Sequence, residues 1–209
     1  MPRARATAFD VHPSVAYAQK VIEKIPESTG RTVETWNRLI ARAALPADGK
    51  ARRAWLKAEH GLGVTTAGML ADLSLGEGDG WTDGATYLRL AAGYVEALYD
   101  GGKAGLRPIH DALVELSRGL GREIRICPCR TIVPVFREHV IAQIKPSTRT
   151  RIDFGLALKG AKGRLPARLL ATGGLEKGDR ITHRIPISSV EEIDGVVEKW
   201  LRVAFDLDG

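Results

Sequence analysis

The hydrophobic pattern of this chain changes its period once, near Arg122, and no other feature constrains the fold as strongly. Before that point apolar residues recur every three or four positions, which is typical of amphipathic helices. After it they alternate with polar residues, which is typical of strands with one buried and one solvated face. The segment 151–159 is the clearest strand, with Arg151, Asp153 and Lys159 on its polar face. The pattern predicts a helical first part and an α+β second part.

Four helices are expected in the first part of the chain. The first should stop at Pro26, because proline removes a backbone donor and clashes with the preceding turn. The second should begin after Thr32, which is a plausible N-cap. In the third we expect Ala54, Trp55 and Ala58 to form the buried face. A fourth, shorter helix follows.

A glycine-rich, acidic stretch without periodicity comes after these helices. It predicts a helical module at residues 1–75, a linker at 76–86 and an α+β domain at 87–209. In that domain two helices precede several short strands, and a capping box of Ser189 and Glu192 opens a closing helix. The strand connections are too short for parallel crossovers. The expected fold class is α+β, with a small all-α N-terminal module followed by an antiparallel sheet packed with helices on one face.

Composition predicts a globular protein of the cytoplasm. The chain has 209 residues, of which 44% are hydrophobic and 27% are charged, within the ordinary range for one or two folded cores. No apolar run has the length of a signal-peptide core or a bilayer span, so no membrane association is expected. Cys127 and Cys129 flank one proline, which is poor geometry for a disulfide and offers too few ligands for a metal. We expect no metal and no cofactor, and the role of the two cysteines stays open.

Positive charge is concentrated in residues 118–168, which we name the basic block. It holds 12 basic and three acidic side chains in a chain with a net charge of +6. Arg149 and Arg151 lie two residues apart on one strand face, so their guanidinium groups could bind a phosphate or carboxylate side by side. Alternatively, the block is a solvated face whose charges are balanced by acidic helices. Surface ion pairs are common, and this favours the second interpretation.

The junction between the third and fourth helices has the sequence HGLGVTT and resembles a helix-hairpin-helix element. In that element glycines let backbone N–H groups at the start of the second helix approach a DNA phosphate, and the helix dipole adds to the attraction. The residues that would bind a polyanion here are Lys57, Gly61, Leu62, Gly63, Thr65 and Thr66. Alternatively, Gly61 only caps one helix, Gly63 opens the next and Leu62 packs beneath them.

Catalytic motifs do not stand out. The sequence lacks a Gly-x-Ser-x-Gly elbow, a His-Glu-x-x-His pair, a P-loop and a complete dinucleotide fingerprint. No nucleophile has a recognisable base beside it in sequence, so we predict no catalytic residue and expect no enzymatic activity, unless catalytic groups meet only in the fold. The aromatic residues lie on apolar helical stripes, which disfavours a stacking platform for single strands.

Both parts of the chain resemble bacterial families of domains without an assigned function. The segments STGRTVETW, WLKAEHGLG and AGMLADL, within about residues 10–75, resemble domain of unknown function 4287. The segments YVEALYDG, CRTIVPVFRE and IKPSTRTRIDFGLALKG, within about residues 90–206, resemble domain of unknown function 5655. The second resemblance implies a nucleic-acid context, because related domains occur attached to nuclease-like modules, but it assigns no catalytic residue. Cys127 and Cys129 depart from the family pattern.

The leading hypothesis is a non-catalytic binding protein for nucleic acid or another polyanion, acting through the turn at Gly61–Thr66 and a basic sheet face. On that face the resemblance directs attention to Arg149, Arg151 and Arg184. The alternative is a small-molecule or peptide-binding domain with a pocket between sheet and helices, lined by Tyr99, Arg151 and Arg184. A third possibility is a protein-interaction adaptor. The sequence does not fix the oligomeric state.

Overall fold

Residues 9–76 and 78–209 are described by a computed structural model, and they form two compact units. The helical unit comprises residues 11–90, and the sheet unit comprises residues 91–209 together with residues 9 and 10. Within the described residues, no helix has the length and apolar character needed to cross a membrane.

Short helices build the first unit. They are α1 (Ser14–Thr29), α2 (Val33–Arg42), α3 (Gly49–His60), α4 (Val64–Ser74), α5 (Asp79–Thr82) and the first part of α6 (Gly84–Leu98). Thr32 accepts a hydrogen bond from the N–H of Thr35 at the start of α2, which confirms the predicted cap. Asp48 caps α3 in the same way. The segment 76–86, expected to be a linker, holds α5 and the first residues of α6.

α1 continues through Pro26, and the prediction that it stops there is wrong. The missing proline N–H removes one hydrogen bond from the helix. Two features offset that loss, since Ile25 is buried in the core of the unit and the Thr29 hydroxyl donates to the Ile25 carbonyl (2.7 Å). The helix ends at Gly30, which has a left-handed φ of 69° and donates its N–H to the Pro26 carbonyl.

The core of the helical unit forms between α1, α2, α3 and α4. Its buried residues are Ile25, Trp36, Ile40, Leu56, Ala67, Leu70 and Ala71. In α3, Leu56 is the buried residue, whereas Ala54 and Ala58 are exposed and Trp55 is half-buried. The predicted buried face of α3 is therefore wrong for Ala54 and Ala58, whereas Trp55 packs against the core from a partly buried position. The reason is that one leucine removes more apolar surface from water than two alanine methyl groups, so the helix turns its leucine inward.

The sheet unit contains the rest of α6 and a mixture of helices and strands. In order these are a 3₁₀ helix (Gly101–Leu106), α7 (Arg107–Arg118), β1 (Arg125–Ile126), β2 (Val133–Phe136), β3 (Val140–Pro146), β4 (Ile152–Leu156), β5 (Leu170–Ala171), α8 (Gly174–Lys177), β6 (His183–Ile187), a second 3₁₀ helix (Val190–Glu192) and α9 (Gly195–Asp206). The strands form one antiparallel sheet with the order β1-β2-β3-β4-β6-β5. Together with the helical first unit, this confirms the predicted α+β fold. The sequence did not predict β5 or α8.

Residues of the strands alternate between two faces of the sheet. On one face Phe154 lies between Ile144 and Ile185 in the register, and all three are buried in one apolar cluster with residues of α7 and α9. On the other face lie Asp153 of β4 and Arg184 of β6. The helices therefore cover one face, and the second face carries polar side chains of the basic block.

α9 is capped by Asp194, and the predicted capping box of Ser189 and Glu192 is wrong. Asp194 Oδ1 accepts hydrogen bonds from the N–H groups of the second and third residues of the helix (3.0 and 3.3 Å). The Glu192 carboxylate instead accepts from the N–H of Ser188 (2.8 Å), and Ser189 makes no side-chain cap. Both serine and aspartate suit an N-cap, but the carboxylate also interacts favourably with the positive end of the helix dipole.

Candidate functional site

Arg151 and Arg184 meet on the polar face of the sheet, where both contact Asp153. Arg184 Nη1 lies 2.7 Å from Asp153 Oδ2, and Arg151 Nε lies 3.0 Å from Asp153 Oδ1. The Asp153 side chain is only 14% exposed. A half-buried carboxylate between two guanidinium groups opposes the approach of a second anion. These contacts tie β4 to β6 and leave both arginines less available to a polyanion.

Arg149 lies apart from that pair, in a cleft of about 600 Å³ in the sheet unit. The charged residues that line this cleft are Lys103, Arg130, Lys145, Arg149 and Asp100. We name it the basic cleft. Its lining therefore combines four cationic side chains with one carboxylate.

Three separate chain segments bring the basic side chains together. Lys103 belongs to the 3₁₀ helix that follows α6, and its Nζ donates to the carbonyl of Pro146 at the end of β3 (2.8 Å). Lys145 lies on β3, and Arg149 lies in the turn between β3 and β4. Arg130 comes from the loop between β1 and β2. The cleft exists because the fold places this loop, this turn and the 3₁₀ helix side by side.

The turn between β3 and β4 places the side-chain stem of Arg149 next to Gly102. The N–H groups of Ser147 (3.1 Å) and Thr148 (3.3 Å) both donate to the carbonyl of Arg151 and close the turn. A Cβ at position 102 would lie 3.3 Å from Arg149 Cδ, which is tighter than ordinary van der Waals contact. The absence of a side chain at Gly102 therefore gives room to the stem of the arginine.

Among the described residues, two cationic side chains of the basic cleft have no carboxylate partner. Across residues 9–76 and 78–209, neither Lys145 nor Arg149 forms an ion pair. Other arginines of the sheet unit do pair with described carboxylates, among them Arg107, Arg118, Arg137, Arg151, Arg168, Arg180 and Arg184. Arg151 and Arg184 are thus neutralised by a carboxylate, as the second interpretation of the basic block predicts. Lys145 and Arg149 remain available to bind an anion.

The turn between α3 and α4 has an open geometry. Gly61 ends α3 with a left-handed φ of 63°, and Leu62 packs against the core of the helical unit. Gly63 is the N-cap of α4, has an extended conformation, and would have no atom within 4 Å of an added Cβ. Backbone geometry therefore requires glycine at 61 but not at 63. The other residues of the predicted site are partly or fully exposed: Lys57, Thr65 and Thr66.

Comparison with known families assigns both units. The family model described as domain of unknown function DUF5655 matches residues 95–208, which is more than half of the chain. This chain belongs to the DUF5655 family. A second model, domain of unknown function DUF4287, matches residues 17–74. Both predicted resemblances are confirmed. No curated protein and no solved structure matches the chain significantly.

The four cationic residues of the basic cleft all lie in the DUF5655 segment, whereas the turn at Gly61 lies in the DUF4287 segment. Sequence reasoning singled out Arg149 but not Lys103, Arg130 or Lys145. Arg130 and Lys145 were visible only as members of the basic block. Lys103 lies in an acidic stretch, and its one local signal is the preceding glycine pair, which allows a close approach of another segment.

Tyr99 lies in the covered core of the DUF5655 segment. Its hydroxyl is 3.0 Å from His110 Nδ1, and both side chains are buried. Burial raises the pKa of Tyr99 and lowers the pKa of His110 to about 4, so both groups are neutral at pH 7. Tyr99 shares its apolar cluster with the covered face of the sheet, whereas Arg151 and Arg184 are on the polar face. The structure therefore does not bring the three predicted pocket residues together.

Cys127 and Cys129 lie in the loop between β1 and β2, and neither forms a disulfide. Burial raises the pKa of Cys127 to about 12 and that of Cys129 to about 11. Both remain protonated thiols at pH 7, which makes them poor nucleophiles. In the part of the chain that the structure describes, no group of three or more His, Cys, Asp or Glu side chains could hold a metal ion.

Proposed function

We propose that this DUF5655 protein is a non-catalytic binding protein for a polyanion, nucleic acid in the first place, and that the basic cleft is its main contact surface. The observation that carries the proposal is the convergence of four cationic side chains on one cleft. Within the described residues, Lys145 and Arg149 have no carboxylate partner, so no ion pair has to be broken before they contact a phosphate. We place this activity in the bacterial cytoplasm, where reduced thiols such as Cys127 and Cys129 are the usual state.

The turn of the helical unit is proposed as a second contact. The first N–H groups of α4 follow Gly63, which has open space around it and supplies no side-chain cap. Backbone N–H groups at a helix start can donate to phosphate oxygens, and exposed Lys57 and Thr65 could add a charge and a hydroxyl. Gly61 would serve this contact only indirectly, by ending α3 sharply.

The proposal predicts salt-sensitive binding that depends on the basic cleft. Fluorescence anisotropy of the full chain against short duplex DNA, single-stranded DNA and RNA should give affinities that fall steeply with salt, because each neutralised phosphate releases counterions. The double variant Lys145→Gln with Arg149→Gln should weaken binding at least about tenfold at low salt. It should also reduce the slope of log K against log salt by about 1.5 to 2 for duplex DNA, since two phosphate contacts are lost.

A matched control comes from the same basic block. Lys162 and Arg164 are exposed and lie outside the basic cleft, so Lys162→Gln with Arg164→Gln removes the same charge from another surface. This control should change the affinity by less than about threefold, as expected for screened charges away from the contact. Equal losses in the two double variants would show that net charge alone drives binding. The further variant Gly63→Val tests the turn, because a bulky side chain would obstruct the start of α4.

The volume of the basic cleft favours a second candidate function, the binding of a small anionic ligand. Its volume of about 600 Å³ is within the range usual for ligand pockets. If no nucleic acid binds at the lowest salt, and inorganic phosphate or adenosine monophosphate raises the melting temperature of the wild type but not of the cleft variant, this second function replaces the first.

A further inference from the structure

We infer that the basic cleft binds a terminal phosphomonoester, the phosphorylated end of a nucleic-acid strand, rather than the interior of its backbone. This inference rests on the proposed function, because it names the part of the polyanion that the cleft takes. An interior phosphodiester carries one negative charge, whereas a terminal phosphate carries nearly two at pH 7 because its second pKa is about 6. A site with several cations around one point gains more from the terminal group.

The cations of the basic cleft line a single cavity. A groove that tracks a strand carries its cations in a row along the path of the backbone. Here Lys103, Arg130, Lys145 and Arg149 come from three segments and line the same cavity. The cavity of about 600 Å³ has the size of a small-ligand pocket, which suits one terminal nucleotide.

One of the cations is anchored by a hydrogen bond before any ligand arrives, and the stem of a second lies against the backbone. Lys103 is half-buried, and its Nζ uses one donor on the Pro146 carbonyl (2.8 Å), which leaves two donors of the ammonium group for phosphate oxygens. The stem of Arg149 lies over Gly102, and its planar guanidinium can bind two phosphate oxygens at once. Side chains that are already ordered lose less conformational freedom on binding.

The rest of the lining suits the remainder of a nucleotide. The hydroxyls of Thr131 and Ser147 offer neutral donors for phosphate oxygens. Ala97 and Pro146 supply apolar surface against which a sugar or a base can pack. The carboxylate of Asp100 accepts a hydrogen bond from a backbone N–H of the 3₁₀ helix (2.7 Å), and its one negative charge leaves the four cations of the lining in excess. A few polar groups beside apolar surface are typical of small-ligand sites.

The experiment compares three single-stranded DNAs labelled at the 3′ end, with the full chain at moderate salt. One carries a 5′-phosphate, one has the same sequence with a 5′-hydroxyl, and one is a longer hydroxyl-ended strand with the same total charge as the first. We expect the phosphorylated strand to bind about tenfold more tightly than either hydroxyl-ended strand, because only its end presents a dianion. The charge-matched strand separates recognition of the end from attraction to total charge.

Variants link the preference to the basic cleft. Lys145→Gln with Arg149→Gln should abolish the preference for the phosphorylated strand, whereas Lys162→Gln with Arg164→Gln should keep it. Gly102→Ala changes no charge, but its Cβ would lie 3.3 Å from Arg149 Cδ and the stem would shift by a few tenths of an ångström, so we expect it to reduce the preference about twofold. Circular dichroism of each variant verifies that it folds. A preference that survives the cleft variant would place the end-binding site elsewhere and overturn the inference.

The outcomes separate this inference from the proposed function. Equal, salt-sensitive affinity for the phosphorylated and the charge-matched strand would overturn the inference and leave polyanion binding intact. No binding of these strands, of duplex DNA or of RNA at the lowest salt would overturn both. If the phosphorylated strand is preferred, a competition experiment shows whether the ligand is a strand end or a free mononucleotide. Displacement by unlabelled phosphorylated strand but not by adenosine monophosphate supports the strand end, whereas equal displacement by the mononucleotide overturns the strand as the ligand.

Discussion

At the scale of single residues, the hydrogen bond between Tyr99 and His110 joins two buried side chains inside the core of the sheet unit. The Tyr99→Phe change would remove the hydroxyl and leave His110 Nδ1 buried without its partner. We expect the free energy of unfolding to fall by about 1 to 3 kcal/mol, measured by urea denaturation. Tyr94→Phe is the matched control, since Tyr94 lies on α6 just before Tyr99 in the chain but is only half-buried. A loss of the same size in both variants would contradict this role of the hydroxyl.

His110 also predicts how stability depends on pH. Burial lowers its pKa to about 4 in the folded chain, against about 6.5 when unfolded, so the unfolded state binds a proton first as the pH falls. Its contribution to stability is therefore fully present above pH 6.5 and is lost between pH 6.5 and pH 4, up to about 3 kcal/mol.

His110→Gln keeps a neutral hydrogen-bonding group at this position and serves as the comparison. We expect the free energy of unfolding of the wild type to decline more than that of the variant between pH 7 and pH 4. Urea denaturation at several pH values measures both. Parallel declines would show that other groups cause the acid sensitivity.

At the scale of secondary-structure elements, the start of α9 depends on Asp194. Its carboxylate caps two backbone N–H groups and also pairs with Arg168 (2.6 Å). Asp194→Ala should lower the melting temperature by several degrees, because α9 loses its N-cap and Arg168 loses its ion-pair partner. Ser189→Ala, at the position that the sequence favoured as the cap, should change it by a degree or less. Thermal unfolding followed by circular dichroism measures both, and equal effects would argue against the Asp194 cap.

Elements with strong periodicity were predictable, and the exceptions have physical causes. Tyr87, Ala91 and Val95 recur every four residues along one face of α6, and all three are buried. The face of α3 was not predictable from two alanines and a tryptophan, since the choice between faces depends on the partners that Leu56 finds in the other helices. The two-residue strand β5 carries no periodic signal at all.

At the scale of the whole molecule, the sequence could predict the basic block but not the basic cleft. Periodicity assigned Arg149 and Arg151 to one strand face, yet the chain turns between them. Arg151 forms an ion pair with Asp153, whereas Arg149 lines the basic cleft together with Lys103 and Arg130. Which cations converge depends on contacts between segments that are far apart in sequence. Which of these cations lack an ion-pair partner depends on where the fold places carboxylates. Local sequence spacing encodes neither the convergence of the cations nor their pairing.

The strand order of the sheet has a consequence for behaviour at high concentration. Its two outer strands, β1 and β5, are only two residues long each, whereas the long strands β3 and β4 are paired on both sides. β1 is partly covered as well, because the N–H of Asp10 donates to the Ile126 carbonyl (2.9 Å). Exposed edges are the templates on which folded chains join into fibrils, and short edges offer few backbone groups for that purpose. The short outer strands thus protect the native state against edge-to-edge aggregation.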